Sequence, residues 1–474
     1  MPNPLLLSAL LLGAVHTASA DEQAIEFAPQ QGAAVSAWQG QFEVPRNWQH
    51  ADGPTLTLSY VRFPATGAKA GSPIVYLAGG PGGSGIDTAR GRRFPLFMAM
   101  REFGDVIAFD QRGTGASSRQ PSCSSEQHID DASAYSDAQY IELHRQAASE
   151  CLAQWRAAGI DPLDWTTAQS VQDLDALRRQ LQAERISLWG ISYGSHLALA
   201  ALAAIDDRLD RVVLASVEGL DQTVKRPAQT DAYFARLQAA INAQPELAEQ
   251  FPDLIGLIRR VHARLDAEPL EIPVSPPVGQ PYRYLLERRD MQQFASMMIA
   301  DPANAIQLLG LYAAVDADLV APVGALLAQF HRPGEPIRYN PMPFAMDLAS
   351  GISRPALRSF ERESSSALLG GWLNFPMPQL DRMVPGLDLG DAFRRGPVSD
   401  VPVLVLSGTL DGRTYPDSQR QAVAGLSQAQ ITTVENAGHN LFMTSPAVTE
   451  RIQAFMRGEP GVERIVVEMK NLGK

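Results

Sequence analysis

The stretch Ile186-Ser187-Leu188-Trp189-Gly190-Ile191-Ser192-Tyr193-Gly194-Ser195-His196-Leu197 decides how the rest of this chain is read. Residues 186–189 are a short apolar run and residues 193–205 an Ala/Leu-rich run with helical spacing. A strand therefore passes into a helix across Gly190-x-Ser192-x-Gly194. So sharp a turn needs small residues on both sides of the serine, because strand and helix would otherwise clash. It lifts the Ser192 hydroxyl clear of the sheet, at the positive end of the following helix. The five-residue pattern alone is common by chance; its strand-to-helix setting makes Ser192 a candidate nucleophile.

Strand and helix alternate outward from this turn. Residues 56–63, 73–78 and 105–110 have the pattern of strands, residues 170–182 that of a helix (Val171, Leu174, Leu177, Leu181), and residues 211–216 that of another strand. The alternation predicts a mostly parallel sheet with right-handed crossovers and helices on both faces. Between residues 220 and 395 the character changes to helical Ala, Leu, Met and Gln with little strand signal, broken by proline-rich joints such as residues 273–281. Strands return at 401–407 and 431–434, followed by a helix at 447–457. The predicted organisation is a leader (residues 1–20), a first part of an α/β core (21–219), a helical cap (220–395) and a second part of the core (396–474). The cluster Met291, Phe294, Met297 and Met298 suits core packing better than cofactor binding.

The chain has 474 residues, of which 45% are hydrophobic and 19% charged, values for a packed globular protein rather than a disordered or fibrous one. The net charge of −12 is spread along the chain without a basic run, which argues against nucleic acid as a partner. Residues 5–15 form an apolar stretch before Ala18-Ser19-Ala20, the small-x-small pattern of a signal-peptidase site. That stretch is too short to cross a hydrocarbon core of about 30 Å, and no later segment is apolar for long enough. The expectation is export, periplasmic or secreted, with no integral membrane segment after cleavage. The two cysteines, Cys123 and Cys151, are 28 residues apart. In an oxidising compartment they can pair, closing a loop worth roughly 3.5 kcal/mol on a chain-entropy estimate; two buried thiols are the alternative.

A serine hydroxyl needs a base. His439, in Asn436-Ala437-Gly438-His439-Asn440-Leu441-Phe442, follows the strand at 431–434 and so opens at the same sheet edge as the nucleophile turn. His50, His128, His144, His262 and His331 sit in polar or helical contexts, and His196 is expected to pack against the sheet. The base needs a carboxylate to fix its tautomer. Asp411, after the strand at 401–407, fits the chain order Ser, acid, His, with Asp417 as the competitor. Gly79-Gly80-Pro81-Gly82-Gly83-Ser84-Gly85 follows the strand at 73–78. It matches G-x-G-x-x-G, with Asp110 where a ribose-binding acid would lie. It also suits a loop offering backbone N–H groups to an oxyanion, which Pro81 and the Ser/Asp/His set favour. The donors would then be the N–H groups of Gly80 and Tyr193, each typically worth about 10²–10³ in turnover. No metal or organic cofactor is expected, since no His pair or His/Cys cluster has ligand spacing.

Taken together, residues 79–85, Phe109-Asp110-Gln111-Arg112-Gly113-Thr114-Gly115, residues 190–194, Asp411 and His439 resemble the α/β-hydrolase serine aminopeptidases, a group with proline iminopeptidases and secreted tripeptidyl aminopeptidases. The resemblance covers residues 42–457; Ala78 stands where many relatives have His. It implies an α/β-hydrolase fold with a helical cap over the active site, an Asp-Gln-Arg-Gly segment that braces the oxyanion loop, and cleavage of residues, proline among them, from the N-terminus of short peptides. A carboxylesterase or lipase-like enzyme on the same triad is the alternative. An exopeptidase must read a free α-amine with a carboxylate. Glu218, at the end of the strand at 211–216, is the best-placed candidate; Glu361 and Glu363 in the cap are weaker ones that suit a solvated helix face.

Overall fold

The computed structural model describes residues 22–69 and 71–469; the leader assigned to residues 1–20 lies outside the described residues. The strands, in chain order, are β1 (Glu22–Phe27), β2 (Val35–Pro45), β3 (Thr55–Phe63), β4 (Ile74–Leu77), β5 (Val106–Asp110), β6 (Cys123–His128), β7 (Ile186–Ser192), β8 (Leu209–Val217), β9 (Leu270–Val274), β10 (Tyr282–Leu286), β11 (Pro336–Tyr339), β12 (Val403–Gly408), β13 (Ala429–Glu435) and β14 (Arg464–Val466). One ten-stranded sheet has the order β1-β2-β3-β5-β4-β7-β8-β12-β13-β14. Pairings from β1 to β5 are antiparallel, and every pairing from β5–β4 through β13–β14 is parallel.

The parallel half is covered on both faces, which is why its strands are continuous apolar runs: every residue of β4 and β5 is buried. On one face the helices Thr167–Gln180 and Tyr193–Ala204 pack Leu174, Leu177, Leu197 and Ala201 against Leu58, Val75, Leu188 and Leu214. On the other, the helices Phe94–Met100 and Pro446–Met456 bring Phe97, Ile452 and Phe455 onto Trp189, Val213 and Leu406. Among the described residues no helix is long and apolar enough to cross a membrane.

Between β8 and β12 the chain leaves the sheet for a mainly helical segment with a core of its own, formed by Tyr233, Leu237, Ile258, Leu309, Tyr312 and others. Residues 273–281 are not a joint between helices. They contain the turn of an antiparallel hairpin, β9–β10, whose prolines fall in an edge strand and the turn, where a missing N–H costs little. A third strand of the segment, β11, pairs with β6 outside it. The helix Pro341–Ser350 also departs from a self-contained cap: Met342, Phe344, Ala345, Met346 and Ala349 belong to the core beneath the sheet. Of the methionine cluster, Met291 is fully buried, whereas Met297 is 64% exposed.

Cys123 on β6 and Cys151 in the helix Asp137–Ala157 are joined by a disulfide, with Cα atoms 5.3 Å apart. The bond ties that helix, which hydrophobic spacing did not reveal, to the strand that receives β11.

Candidate active site

Ser192 ends β7 with φ 55° and ψ −127°, backbone that an L-residue holds only when its surroundings impose it. The surroundings are close backbone on both sides. A Cβ on Gly194 would lie 2.1 Å from the Leu77 carbonyl oxygen, and one on Gly190 would lie 2.5 Å from that of Gly194. The Ser195 hydroxyl, one helical turn on, donates to the Ser192 carbonyl at 2.5 Å and accepts from the Glu218 N–H at 2.9 Å. The nucleophile turn is thereby stitched to the end of β8.

His439 lies in the loop after β13, as its position beyond that strand implies. Its Nδ1 is 3.0 Å from Asp411 Oδ2 and 3.1 Å from Oδ1, and its side chain is 14% exposed while that of Asp411 is fully buried. Burial by itself would raise the Asp411 carboxyl, but His439 and donors from Thr414 outweigh it and hold it below the usual carboxylate range. The Thr414 hydroxyl donates to Oδ2 (2.7 Å) and its N–H to Oδ1 (2.9 Å), where the Arg413 N–H also donates (2.8 Å). Asp417 instead points to solvent, paired with Arg420. The backbone of His439 is fixed by two further bonds: the Ser216 hydroxyl donates to its carbonyl at 2.7 Å, and its N–H donates to the Ala300 carbonyl of the inserted segment at 2.7 Å. Of the other histidines, His144, His262 and His331 bond Tyr339, Tyr312 and Asp131. His196, fully buried, faces the Gly219 carbonyl and the Ser350 hydroxyl, and desolvation lowers its pKa.

Ser192 and His439 line one cleft of about 630 Å³, together with Gly79, Gly80 and Glu218. The glycine loop lies directly against Ser192: a Cβ on Gly79 would stand 3.0 Å from that of Ser192. Tyr193, first residue of its helix, has an N–H without an intrahelical acceptor; its phenol is buried away from the cleft, bonded to Met346 and Thr167. Asp110 is fully buried and spent on the loop itself, accepting from the Ser84 hydroxyl (2.6 Å) and the N–H groups of Ile86 (3.1 Å) and Ala116 (2.7 Å). No oxygen is left for a ribose, so the dinucleotide reading of residues 80–85 falls. Gln111 donates to the Ala78 carbonyl at 3.1 Å. The buried Arg112 guanidinium forms two 2.6 Å bonds with Asp173 and others with the carbonyls of Arg46 and Asp164. The Asp-Gln-Arg segment thus braces the glycine loop from behind.

Glu218 faces the cleft but is not alone there. Its Oε2 accepts from Lys225 Nζ at 2.6 Å, while Oε1 makes no hydrogen bond among the described residues. Asp347 stands near enough to feel Glu218: burial first, then that repulsion, push its carboxyl up to about 7. Arg413 and Arg93 also line the cleft. Glu361 is exposed, and Glu363 pairs with Arg226 and accepts from the Ala228 N–H, so neither reaches the cleft. Ser195 and Ser216 had a signal in the sequence, a hydroxyl one turn past the nucleophile and one at a strand end. Lys225 and Arg93, which line the cleft, and Asp347, which feels Glu218, had none, because no local pattern brings them together.

A serine, an imidazole and a buried carboxylate at one sheet edge, beside a loop of backbone donors, suit acyl transfer. The fold and this arrangement are those of the α/β hydrolases: residues 72–446 match the family described as alpha/beta hydrolase fold, and the chain belongs to it. Among curated proteins it is similar to the serine protease Hip1 of Mycobacterium tuberculosis, 30% identical over 181 residues (37% of this chain, 35% of that protein). It is 26% identical over 194 residues to the tripeptidyl aminopeptidase of Streptomyces coelicolor (38% of this chain, 34% of that protein). With the proline iminopeptidase of Arabidopsis thaliana it shares 28% identity over 214 residues (44% and 43%). The matched region thus spans between about a third and somewhat under half of these relatives.

Proposed function

We propose that this protein is an exported serine peptidase that releases N-terminal residues, or short N-terminal units, from short peptides with a free amine. Ser192 Oγ attacks the carbonyl carbon of the scissile amide while His439 takes its proton; Asp411 holds the imidazole and stabilises the imidazolium. The N–H groups of Gly80 and Tyr193 bind the oxyanion. His439 then gives its proton to the leaving nitrogen, the C–N bond breaks, and water repeats the sequence on the acyl-enzyme. The substrate ammonium binds Glu218 through Oε1. The observation that carries the reading is this carboxylate, with one oxygen held by Lys225 and the other unbonded in the cleft that contains Ser192 and His439. The likeness to a tripeptidyl aminopeptidase and a proline iminopeptidase supports the same substrate class.

One observation favours a carboxylesterase on the same three residues: Lys225 already neutralises Glu218. A matched fluorogenic set separates the two readings. It contains Pro-, Ala- and Ala-Ala-Pro-amides with free amines, their N-acetylated forms and short p-nitrophenyl esters, with Ser192→Ala as the blank. The expected result is turnover of free-amine amides that acetylation abolishes and Glu218→Ala cripples; the best substrate gives the length of the unit released. Turnover of esters alone, indifferent to the amine and to Glu218→Ala, overturns the peptidase reading. Export is tested by sequencing the N-terminus of the protein recovered outside the cytoplasm, where cleavage after Ala20 is expected.

A further inference from the structure

The cleft has two flanks, set by the order of the strands beneath it. Ser192 tops β7; on one side lies β8, followed by Glu218 and Lys225, with Arg413 after β12 and Asn440 after β13 further out, and on the other lies β4, the strand of Tyr76. Arg93 stands on this second flank. Its guanidinium donates through Nη1 to the Tyr76 hydroxyl and through Nη2 to Asn440 Oδ1 at 3.2 Å. It lies 5.9 Å from the ring centre of Tyr76 and 5.6 Å from that of Phe442, between two aromatic faces that fix its direction. Among the described residues it has no carboxylate partner, and the nearby Asp301 bonds the N–H and side-chain amide of Asn440 instead.

An arginine has five N–H donors, and two hydrogen bonds to neutral groups leave most of that capacity unused and the charge without an anionic partner among the described residues. The position of Arg93 says what answers it. Asn440 follows His439 in the chain, so Arg93 borders the imidazole that must protonate the leaving nitrogen. Arg93 lines the same cleft as Ser192, His439 and Glu218, and offers its charge to the fragment that departs there. A departing amino acid or dipeptide carries its own α-carboxylate a few bonds from that nitrogen, with the planar two-oxygen geometry a guanidinium matches.

Resting on the peptidase reading above, we propose that Arg93 binds the C-terminal carboxylate of the departing fragment, so that the substrates are short peptides with a free C-terminus. The test uses one peptide in which the preferred N-terminal unit is followed by a single alanine, as the free acid and as the C-terminal amide. Steady-state constants are measured with the wild type, Arg93→Gln and Arg93→Lys. The expected result is that the wild type prefers the acid by about 10- to 100-fold, mainly in KM. Arg93→Gln abolishes the preference of acid over amide, and Arg93→Lys retains part of it. A thermal melt coinciding with that of the wild type shows that the variant folds. Equal turnover of acid and amide by the wild type overturns this inference and leaves the peptidase reading standing, as does a preference that survives Arg93→Gln. Failure to cleave either peptide, with p-nitrophenyl esters still hydrolysed, overturns both.

Discussion

The Ser216 hydroxyl donates a 2.7 Å hydrogen bond to the carbonyl of His439, joining the end of β8 to the loop that carries the imidazole. Ser216 is itself in a left-handed conformation, φ 50°, so β8 bends to aim that hydroxyl. His439 is therefore held at three points: its ring by Asp411 at Nδ1, and its backbone by Ser216 at the carbonyl and Ala300 at the N–H. Ser216→Ala should lower kcat about 10-fold with little change in KM and cost about 1 kcal/mol of stability. Steady-state kinetics and denaturant melts of the same preparation check both.

Asp411→Asn keeps the shape of the carboxylate and removes its charge. The imidazole then loses the charge that fixes its tautomer and stabilises the imidazolium, and kcat should fall by about 10³–10⁴. A fluorophosphonate should label this variant far more slowly than the wild type and Ser192→Ala not at all, read by intact-protein mass spectrometry.

Asp347 gives a pH dependence of stability. Its folded value of about 7 lies above the unfolded one, so between these values the native state binds more protons than the unfolded state and stability falls as pH rises. Asp347→Asn should match the wild type at pH 4 and exceed it at pH 8, on the order of 1–2 kcal/mol after discounting for solvent near the group. Thermal melts across that range measure the difference.

Reduction of the Cys123–Cys151 disulfide, or replacement of both residues by serine, should cost about 2–4 kcal/mol. The loss should fall on the helix Asp137–Ala157 and on β6 with its partner β11, and should leave the sheet core intact. Hydrogen exchange resolved by peptide locates it.

Arg112→Met leaves Asp173 as a buried carboxylate without its cation, and breaking such a pair costs about 3–5 kcal/mol. Because Arg112 follows Gln111, which holds the Ala78 carbonyl, turnover should also drop as the glycine loop loses its brace. A denaturant midpoint and kcat measured at low temperature separate the two effects.

What the amino-acid sequence determined by itself was the part governed by short-range rules. The apolar runs at β4, β5, β7, β8 and β12, with the glycines around Ser192, dictate a parallel sheet and a strained serine turn, because strand burial and steric crowding act over a few residues. The placement of Asp411 and His439 after consecutive strands β12 and β13 follows from chain order alone, since parallel strands open their loops on one edge. Periodicity was silent where long-range contact overrides it: β9 and β10 form a hairpin through each other's hydrogen bonds, despite Pro273 and the prolines of the turn.

Only the tertiary structure decided the electrostatics of the cleft. Glu218 and Lys225 are close in sequence, but their pairing depends on how the chain leaves β8, and Asp347 meets them from a helix more than a hundred residues away. Arg93 reaches Asn440 across 347 residues. Charges act through space over several ångströms whatever the chain distance, so their balance in a cleft is fixed only when the whole fold has closed around it.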